Sequence, residues 1–240
     1  MKIKLTISYD GSSFFGSQIQ PSKVTVQSVL NEIFLKLNID TKFEFSGRTD
    51  RDVHAFRQVI SCEIPEFWNN LEKLKTSLKK MLPSSIMIRK IQKVSDDFHA
   101  RFSAKKREYR YLISKKEINP FNAKYLSYYK NIDKQKINEA IKCFLGVHDF
   151  EYFCKSGSEP SSTIREIYDI KFYEYNDIYV LKFSANSYLR SQIRMMVDFI
   201  MKISCGKLSI EDLKKQLDKK ELISWSLASP SGLYLSKISY

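Results

Sequence analysis

Ile3-Lys4-Leu5-Thr6-Ile7-Ser8-Tyr9 alternates apolar residues, Ile3, Leu5, Ile7 and Tyr9, with polar ones, Lys4, Thr6 and Ser8. Successive strand side chains point to opposite faces, so this pattern predicts a strand with one face in a core and the other polar. The period then changes. Val26, Val29, Leu30, Ile33, Phe34 and Leu37 recur at helical spacing behind Thr25, a good N-cap. Residues 42–46 and 57–64 return to a strand pattern, with Ile60, Cys62 and Ile64 on one side of the second. Phe67, Leu71, Leu74, Leu78 and Met81 then form a helical stripe between Pro65 and Pro83, and residues 86–94 read as a strand. Strand, helix, strand, strand, helix, strand is the ferredoxin-like order.

The second half repeats the order. Residues 108–114 place Tyr109, Tyr111 and Ile113 on one face. Ile137, Ala140, Ile141, Phe144 and Leu145 mark a helix capped by Asp133 and stopped by Gly146. Strands are expected at 164–175 and 178–185, and a long helix carries Leu189, Ile193, Met196, Val197, Ile200 and Ile203. A small helix follows the Ser209-x-x-Asp212 capping box, and 233–240 closes the unit as a strand. The fold class expected is therefore α+β, with two βαββαβ halves, 1–106 and 107–240, joined into a mixed or antiparallel sheet with a central cleft. The first half carries the chemistry-bearing turn described below, and the second completes the cleft. Residues 155–162, rich in Ser with one Gly and one Pro, read as a loose connection.

Forty Lys plus Arg face twenty-seven Asp plus Glu, a formal charge of +13 over 240 residues, and 43% hydrophobic residues can build a sizeable core. Such an excess draws a protein towards a polyanion, nucleic acid first. No window approaches the roughly 18 apolar residues of a membrane span, and the chain opens on a strand rather than a signal peptide, so it reads as soluble. Cys62, Cys143, Cys154 and Cys205 form no C-x-x-C pair and read as free thiols of a reducing compartment, although spacing alone leaves a single disulfide open. His148-Asp149 hints at a metal-dependent phosphohydrolase, but no further ligands stand at metal spacing. No G-x-S-x-G elbow supports a serine hydrolase.

The chemistry concentrates between Phe45 and Ala55. There Asp50 stands between Arg48 and Arg51 in a polar turn, and nearby positive charge favours an ionised carboxylate. An ionised carboxylate serves as nucleophile or base. An Arg-x-Asp-Arg string taken alone reads first as a solvated loop with its charges paired, so the rest of the chain decides.

Several other segments accompany that turn. They are Tyr9-Asp10-Gly11 with Phe15-Gly16 and Gln18; Gly47-Arg48-Thr49-Asp50 with Val53-His54-Ala55; and Asp96-Asp97-Phe98-His99-Ala100-Arg101-Phe102-Ser103-Ala104. Further on come Tyr109-Arg110-Tyr111, Gly146 with Asp149-Phe150, Ile193-Arg194, and Gly232-Leu233-Tyr234-Leu235. In this order and separation the chain resembles the tRNA pseudouridine synthase A family over most of its length. The resemblance implies an isomerase acting on uridines on the 3′ side of the anticodon stem-loop of tRNA, without cofactor or metal, as a cytoplasmic homodimer. It makes Asp50 the catalytic residue. The target uracil is expected to flip out of its stack at a cost of a few kcal/mol. Arg48 is expected to fill the vacated space, Tyr109 to stack on the uracil, Arg194 to pair with the catalytic aspartate, and Leu233 to form an apolar wall. Arg51, His54, His99, Arg101 and Arg190 are candidates for RNA contact, and Phe102 is expected to brace the cleft with His99 and Arg101.

Three positions depart from the family pattern. Asp52 and Asp198 stand where the family commonly has Gly, and the early Gly-Trp-Gln element reads Gly16-Ser17-Gln18. Asp tolerates a left-handed backbone better than most residues, so the turn at Asp52 is expected to survive. The other reading of the chain is a tRNA-binding or RNA-folding protein on the same fold with no turnover.

Overall fold

The computed structural model describes residues 1–157 and 160–240. In chain order the elements are β1 (Lys2–Tyr9), α1 (Val26–Lys36), β2 (Glu44–Phe45), β3 (His54–Glu63), α2 (Leu71–Met81), β4 (Ile86–Lys93), β5 (Lys106–Ser114), β6 (Ser127–Tyr128), α3 (Lys134–Cys143), β7 (Gly146–Asp149), β8 (Ile164–Tyr175), β9 (Ile178–Ala185), α4 (Gln192–Ser204), α5 (Ile210–Leu217) and β10 (Leu233–Ser239). The fold is α+β, as the alternation of periods predicts. Two compact units form: Met1–Lys105 with Tyr234–Tyr240, and Lys106–Leu233. The final strand thus clusters with the first unit rather than with the half that precedes it in sequence. Its backbone runs parallel to β3, with Tyr234 opposite His54 and Leu235 opposite Ala55.

In the first unit β1 lies antiparallel between β3 and β4, with Leu5 opposite both Ile60 and Ile91. Ile3, Leu5, Ile7 and Tyr9 are buried, as are Val26, Leu30, Ile33 and Phe34 of α1 and Leu74 and Leu78 of α2. Thr25 caps α1 by accepting the Ser28 N–H, and the Ser28 hydroxyl returns the bond to the Thr25 N–H. The second helix begins later than its stripe suggests. Asn70 accepts the Lys73 N–H and starts α2 at Leu71, while Phe67 sits in a preceding 3-10 turn, 64% exposed.

In the second unit β5 pairs antiparallel with β9, placing Tyr109 opposite Phe183 and Tyr111 opposite Leu181, and β8 pairs with β9 and β7. Phe144, Phe150, Phe153 and Phe199 form its aromatic core. Asp133 caps α3 through the Gln135 and Lys136 N–H groups, and Ser209 and Asp212 cap α5 reciprocally. Two strands escaped the sequence pattern. Gly146, at φ +92°, stops the helix and at once opens β7, whose His148 lies opposite Arg165. The two-residue β6 runs parallel to β5. Arg190 lies before α4, separated from it by left-handed Ser191, so it does not share a helical face with Arg194. The expectation for 155–162 falls partly outside the described residues. Among the described residues no helix is long and apolar enough to cross a membrane, and no group of three metal-binding side chains forms.

Candidate active site

The turn between β2 and β3 is held by backbone and buried side chains of the first unit. Thr49, 7% exposed, donates its N–H to Ser17 Oγ at 2.9 Å and accepts the Ser17 N–H on its carbonyl at 3.1 Å. Its hydroxyl meets Tyr9 Oη at 2.7 Å. Burial pushes the Tyr9 phenol up to about 12, so it stays protonated as a hydrogen-bonding group. Gln58, fully buried, donates from Nε2 to the Gly47 carbonyl at 2.9 Å and accepts from Ser46 Oγ at 2.7 Å. The turn closes on itself where the Val53 N–H donates to the Asp50 carbonyl at 3.2 Å.

The two glycines of the early motif explain themselves here. A Cβ on Gly11 would stand 2.2 Å from the Val53 carbonyl oxygen, and one on Gly16 would stand 2.8 Å from the Thr49 carbonyl oxygen at φ +91°. Residues 10–17 therefore run directly beneath 49–53, and only glycine permits that approach. Asp52 adopts the left-handed conformation at φ 63°, so aspartate does serve at this position of the turn.

Within the turn the charges sort themselves. Asp50 is partly exposed. Arg48 is exposed, with no ion pair or hydrogen bond among the described residues. Arg51 does not complete the bracket expected around Asp50. Its Nε lies 3.3 Å from Asp52 Oδ2, and its guanidinium covers the Phe15 ring at 4.5 Å. His54, 2% exposed, accepts the Gly11 N–H on Nδ1 at 3.0 Å and stacks on Tyr234 at 4.6 Å. A nitrogen that accepts that bond carries no proton, so the nearby Asp10 carboxylate at 3.3 Å is not paired with an imidazolium there. Burial makes His54 a support of the turn rather than an outward contact.

His99, partly exposed, is held through both ring nitrogens. Its Nδ1 accepts the N–H groups of Arg101 and Phe102 at 3.1 and 3.3 Å, and its Nε2 lies 3.4 Å from Glu44. Ala100 is tied to the sheet by its N–H to Ser61 Oγ and its carbonyl to Tyr240 Oη. Phe102 and Arg101 are left on the surface, Phe102 being 75% exposed.

In the second unit Tyr109, 7% exposed, meets the Tyr188 ring edge-on at 5.4 Å. Arg194 is anchored on both sides by Ala228: its Nε donates to the Ala228 carbonyl at 2.8 Å, and its own carbonyl accepts the Ala228 N–H at 3.0 Å. That fixes the base of a partly exposed guanidinium. Asp198, one turn on, pairs with Lys202 at 2.8 Å and accepts from Ser226 at 2.5 Å. Leu233, 5% exposed, follows Gly232, whose missing Cβ would stand 2.7 Å from Ser127 Oγ and 2.8 Å from the Leu112 carbonyl. Tyr111 bonds Ser127 and the Ser229 carbonyl at the same corner, at 2.6 and 3.0 Å. Arg190 is exposed.

The supporting residues Gln58, Ser17, Thr49 and Tyr9 were missed as a set by reading the chain alone. One signal was available. Gln58 falls on the buried face of β3, at the parity of Ile60 and Cys62, where an uncharged polar residue needs partners.

Fold and turn together define an α+β protein of two units that presents a carboxylate, Asp50, on an anchored polar turn beside an open arginine, the turn's other carboxylate, Asp52, being paired with Arg51. The family model for tRNA pseudouridine synthase matches residues 5–103 and 140–240. The chain is 44% identical, over the whole of both chains, to tRNA pseudouridine synthase A of Campylobacter jejuni subsp. doylei. It is 40% identical to the protein of the same name in Wolinella succinogenes, over 98% of this chain and 92% of that one. With that of Limosilactobacillus reuteri it shares 36% identity over 100% and 96%. The chain belongs to the tRNA pseudouridine synthase family.

Proposed function

We propose that this protein isomerises uridine to pseudouridine on the 3′ side of the anticodon stem-loop of tRNA, with Asp50 as the reactive carboxylate. The observation that carries the proposal is the rigid turn. A reacting group gains from being fixed in place before substrate arrives. Here the residues before Asp50 are anchored by Ser17, Tyr9 and Gln58 and those after it by the Phe14 carbonyl and the Val53 N–H, while Asp50 itself stays partly exposed.

The reaction breaks the bond from the ribose C1′ to N1 of uracil, turns the base, and forms a bond from C1′ to C5. The proton of C5 is lost and N1 gains one, so the product is an isomer of the substrate. Asp50 attacks base or sugar, or assists proton removal. Flipping the uracil leaves a hole in the stack, and Arg48, exposed and unpaired among the described residues, is the side chain suited to enter it. Tyr109 holds the flipped base, Leu233 supplies an apolar wall, and Arg194 supplies positive charge for the carboxylate. Arg51, Arg101 and Arg190, all exposed, contact phosphates. The enzyme works as a cytoplasmic homodimer and uses no cofactor.

The test is carbodiimide labelling and primer extension on an unmodified tRNA transcript, with the wild type and with Asp50→Asn. The wild type is expected to introduce pseudouridine in the anticodon arm. Asp50→Asn is expected to lose roughly a thousandfold in rate or more while retaining tRNA affinity, since the amide keeps the shape but not the carboxylate. Binding by both proteins with modification by neither would leave a tRNA-binding protein in its place.

A further inference from the structure

The first unit's sheet has a second face. Alternation along β1 sends Ile3, Leu5, Ile7 and Tyr9 into the core and Lys4 and Thr6 the other way. Thr6 lies opposite Val59 of β3 and Lys90 of β4, and Lys4 lies opposite Gln92. On this face a groove of about 300 Å³ is lined by Lys4, Arg57, Arg89, Lys90 and Lys237, with Thr6, Val59, Gln92, Ile238 and Tyr240 between them. Five cations and no acidic side chain line it.

None of the five makes an ion pair among the described residues. Lys4 lies 5.4 Å from the ring centroids of both Phe98 and Tyr240, and Arg89 donates to Ser8 Oγ at 3.1 Å. Those interactions orient the cations without neutralising them. Like charges gathered on one groove repel one another, and a bound polyanion relieves that repulsion. The cations come from β4, β1, β3 and β10, four adjacent strands that span roughly 14 Å at ordinary strand spacing, wide enough for several phosphates of one strand. The groove also lies on the sheet face opposite the one on which Tyr9 supports Thr49.

We propose that this groove is a phosphodiester-binding site that grips the RNA backbone away from the nucleotide being modified. Its cations read charge and spacing rather than base edges, so the grip is independent of sequence. The inference borrows from the catalytic reading only the choice of RNA to test.

The test compares the full-length protein with Arg57→Gln/Lys90→Gln/Lys237→Gln, three exposed positions at which the fold is not at risk. A second triple, Lys116→Gln/Lys136→Gln/Lys220→Gln, removes the same charge from cations that already pair with Asp177, Asp133 and Asp218. Kd is measured for an unmodified tRNA transcript and for oligouridylate across a salt series, with sedimentation on each protein. The groove triple is expected to bind both RNAs about tenfold or more weakly at low salt. Its log–log salt slope should shrink by about one for each phosphate that the variant no longer neutralises, up to about three. The paired-lysine triple should change Kd less than about threefold.

Equal behaviour of the two triples overturns the proposal. So does a groove triple that changes oligomeric state while RNA affinity per active unit holds, which makes the face a protein interface. The two readings fail separately. A wild type that makes no pseudouridine but whose RNA binding still depends on the groove refutes the catalysis alone. A wild type that modifies tRNA with binding indifferent to the groove refutes the groove alone.

Discussion

Many lysines of the second unit pair with carboxylates, whereas the cations of the first unit's open sheet face do not. In the second unit Lys115 and Lys134 share Glu174, Lys182 reaches Glu108 at 3.5 Å, Lys202 reaches Asp198 at 2.8 Å, and Lys219 reaches Asp149 at 2.6 Å. In the first unit the groove cations Lys4, Arg57, Arg89, Lys90 and Lys237 face one another with no acidic side chain among them. A formal charge of +13 therefore says little by itself about where a polyanion sits. Pairing removes the pull of some cations and leaves that of others. The first unit also carries the Asp50 turn, whose polar groups are satisfied inward by Gln58, Tyr9 and Ser17. Buried polar groups there fix geometry, and the unpaired cations behind them supply attraction.

The largest expected effect tests the inward half of that contrast. Gln58→Leu removes one hydrogen-bond partner each from the Gly47 carbonyl and the Ser46 hydroxyl in a buried setting and should destabilise the protein by about 2–4 kcal/mol. Urea unfolding measures it, and turnover should fall further than tRNA affinity because the turn loosens. A loss below about 1 kcal/mol with full turnover would mean the turn does not need this support.

A smaller effect is expected from acid on the second unit. Lys219 and Thr163 hold Asp149 below the usual carboxylate range. Lys115 and Lys134 bring Glu174 down to about 2. Burial raises Glu108, but Lys106 and Lys182 outweigh it and bring it down as well. A carboxylate with a lowered folded pKa gives stability that is complete above its unfolded value near 4 and is lost as pH falls through the folded one. Protection from hydrogen exchange in peptides of β8 and β9 should therefore hold from pH 7 to about 5. Corrected for intrinsic rate, it should decline between about pH 4 and pH 2. Unchanged protection at pH 2.5 would show that these pairs contribute nothing.

The smallest effect sharpens the other half. Mutual repulsion in the groove costs stability in the free protein, so the Arg57→Gln/Lys90→Gln/Lys237→Gln variant should be more stable by about 0.5 kcal/mol at low salt, and the gain should vanish at high salt. A thermal shift of the same size at both salt concentrations would trace the effect to packing instead.

Much of this was legible in the chain. The alternation of Ile3 to Tyr9 and the caps at Thr25, Asp133 and Ser209 describe local periods and local hydrogen bonds, and local signals survive folding. The Asp50 turn was legible because its residue types are unusual together. What escaped depended on distant partners. Arg51 turns to Asp52 and Phe15, a choice made by the loop that Gly11 and Gly16 let pass beneath the turn. The stripe from Phe67 continued a helical period through a 3-10 turn because the wheel does not register the Asn70 cap. β6 is too short to show an alternation, and β7 opens on the very glycine that stops α3. The groove was invisible because it gathers residues 4, 57, 89, 90 and 237 from four strands.

Release of tritium from tRNA labelled at C5 of uridine tests the central claim most directly, because forming the new carbon bond must expel that hydrogen. Release is expected from the wild type and, at a near-wild-type rate, from Asp52→Gly, which keeps the left-handed turn at φ 63°; none above background is expected from Asp50→Asn despite undiminished tRNA binding. Release by Asp50→Asn at a rate near that of the wild type would contradict the assignment of Asp50 as the reactive carboxylate.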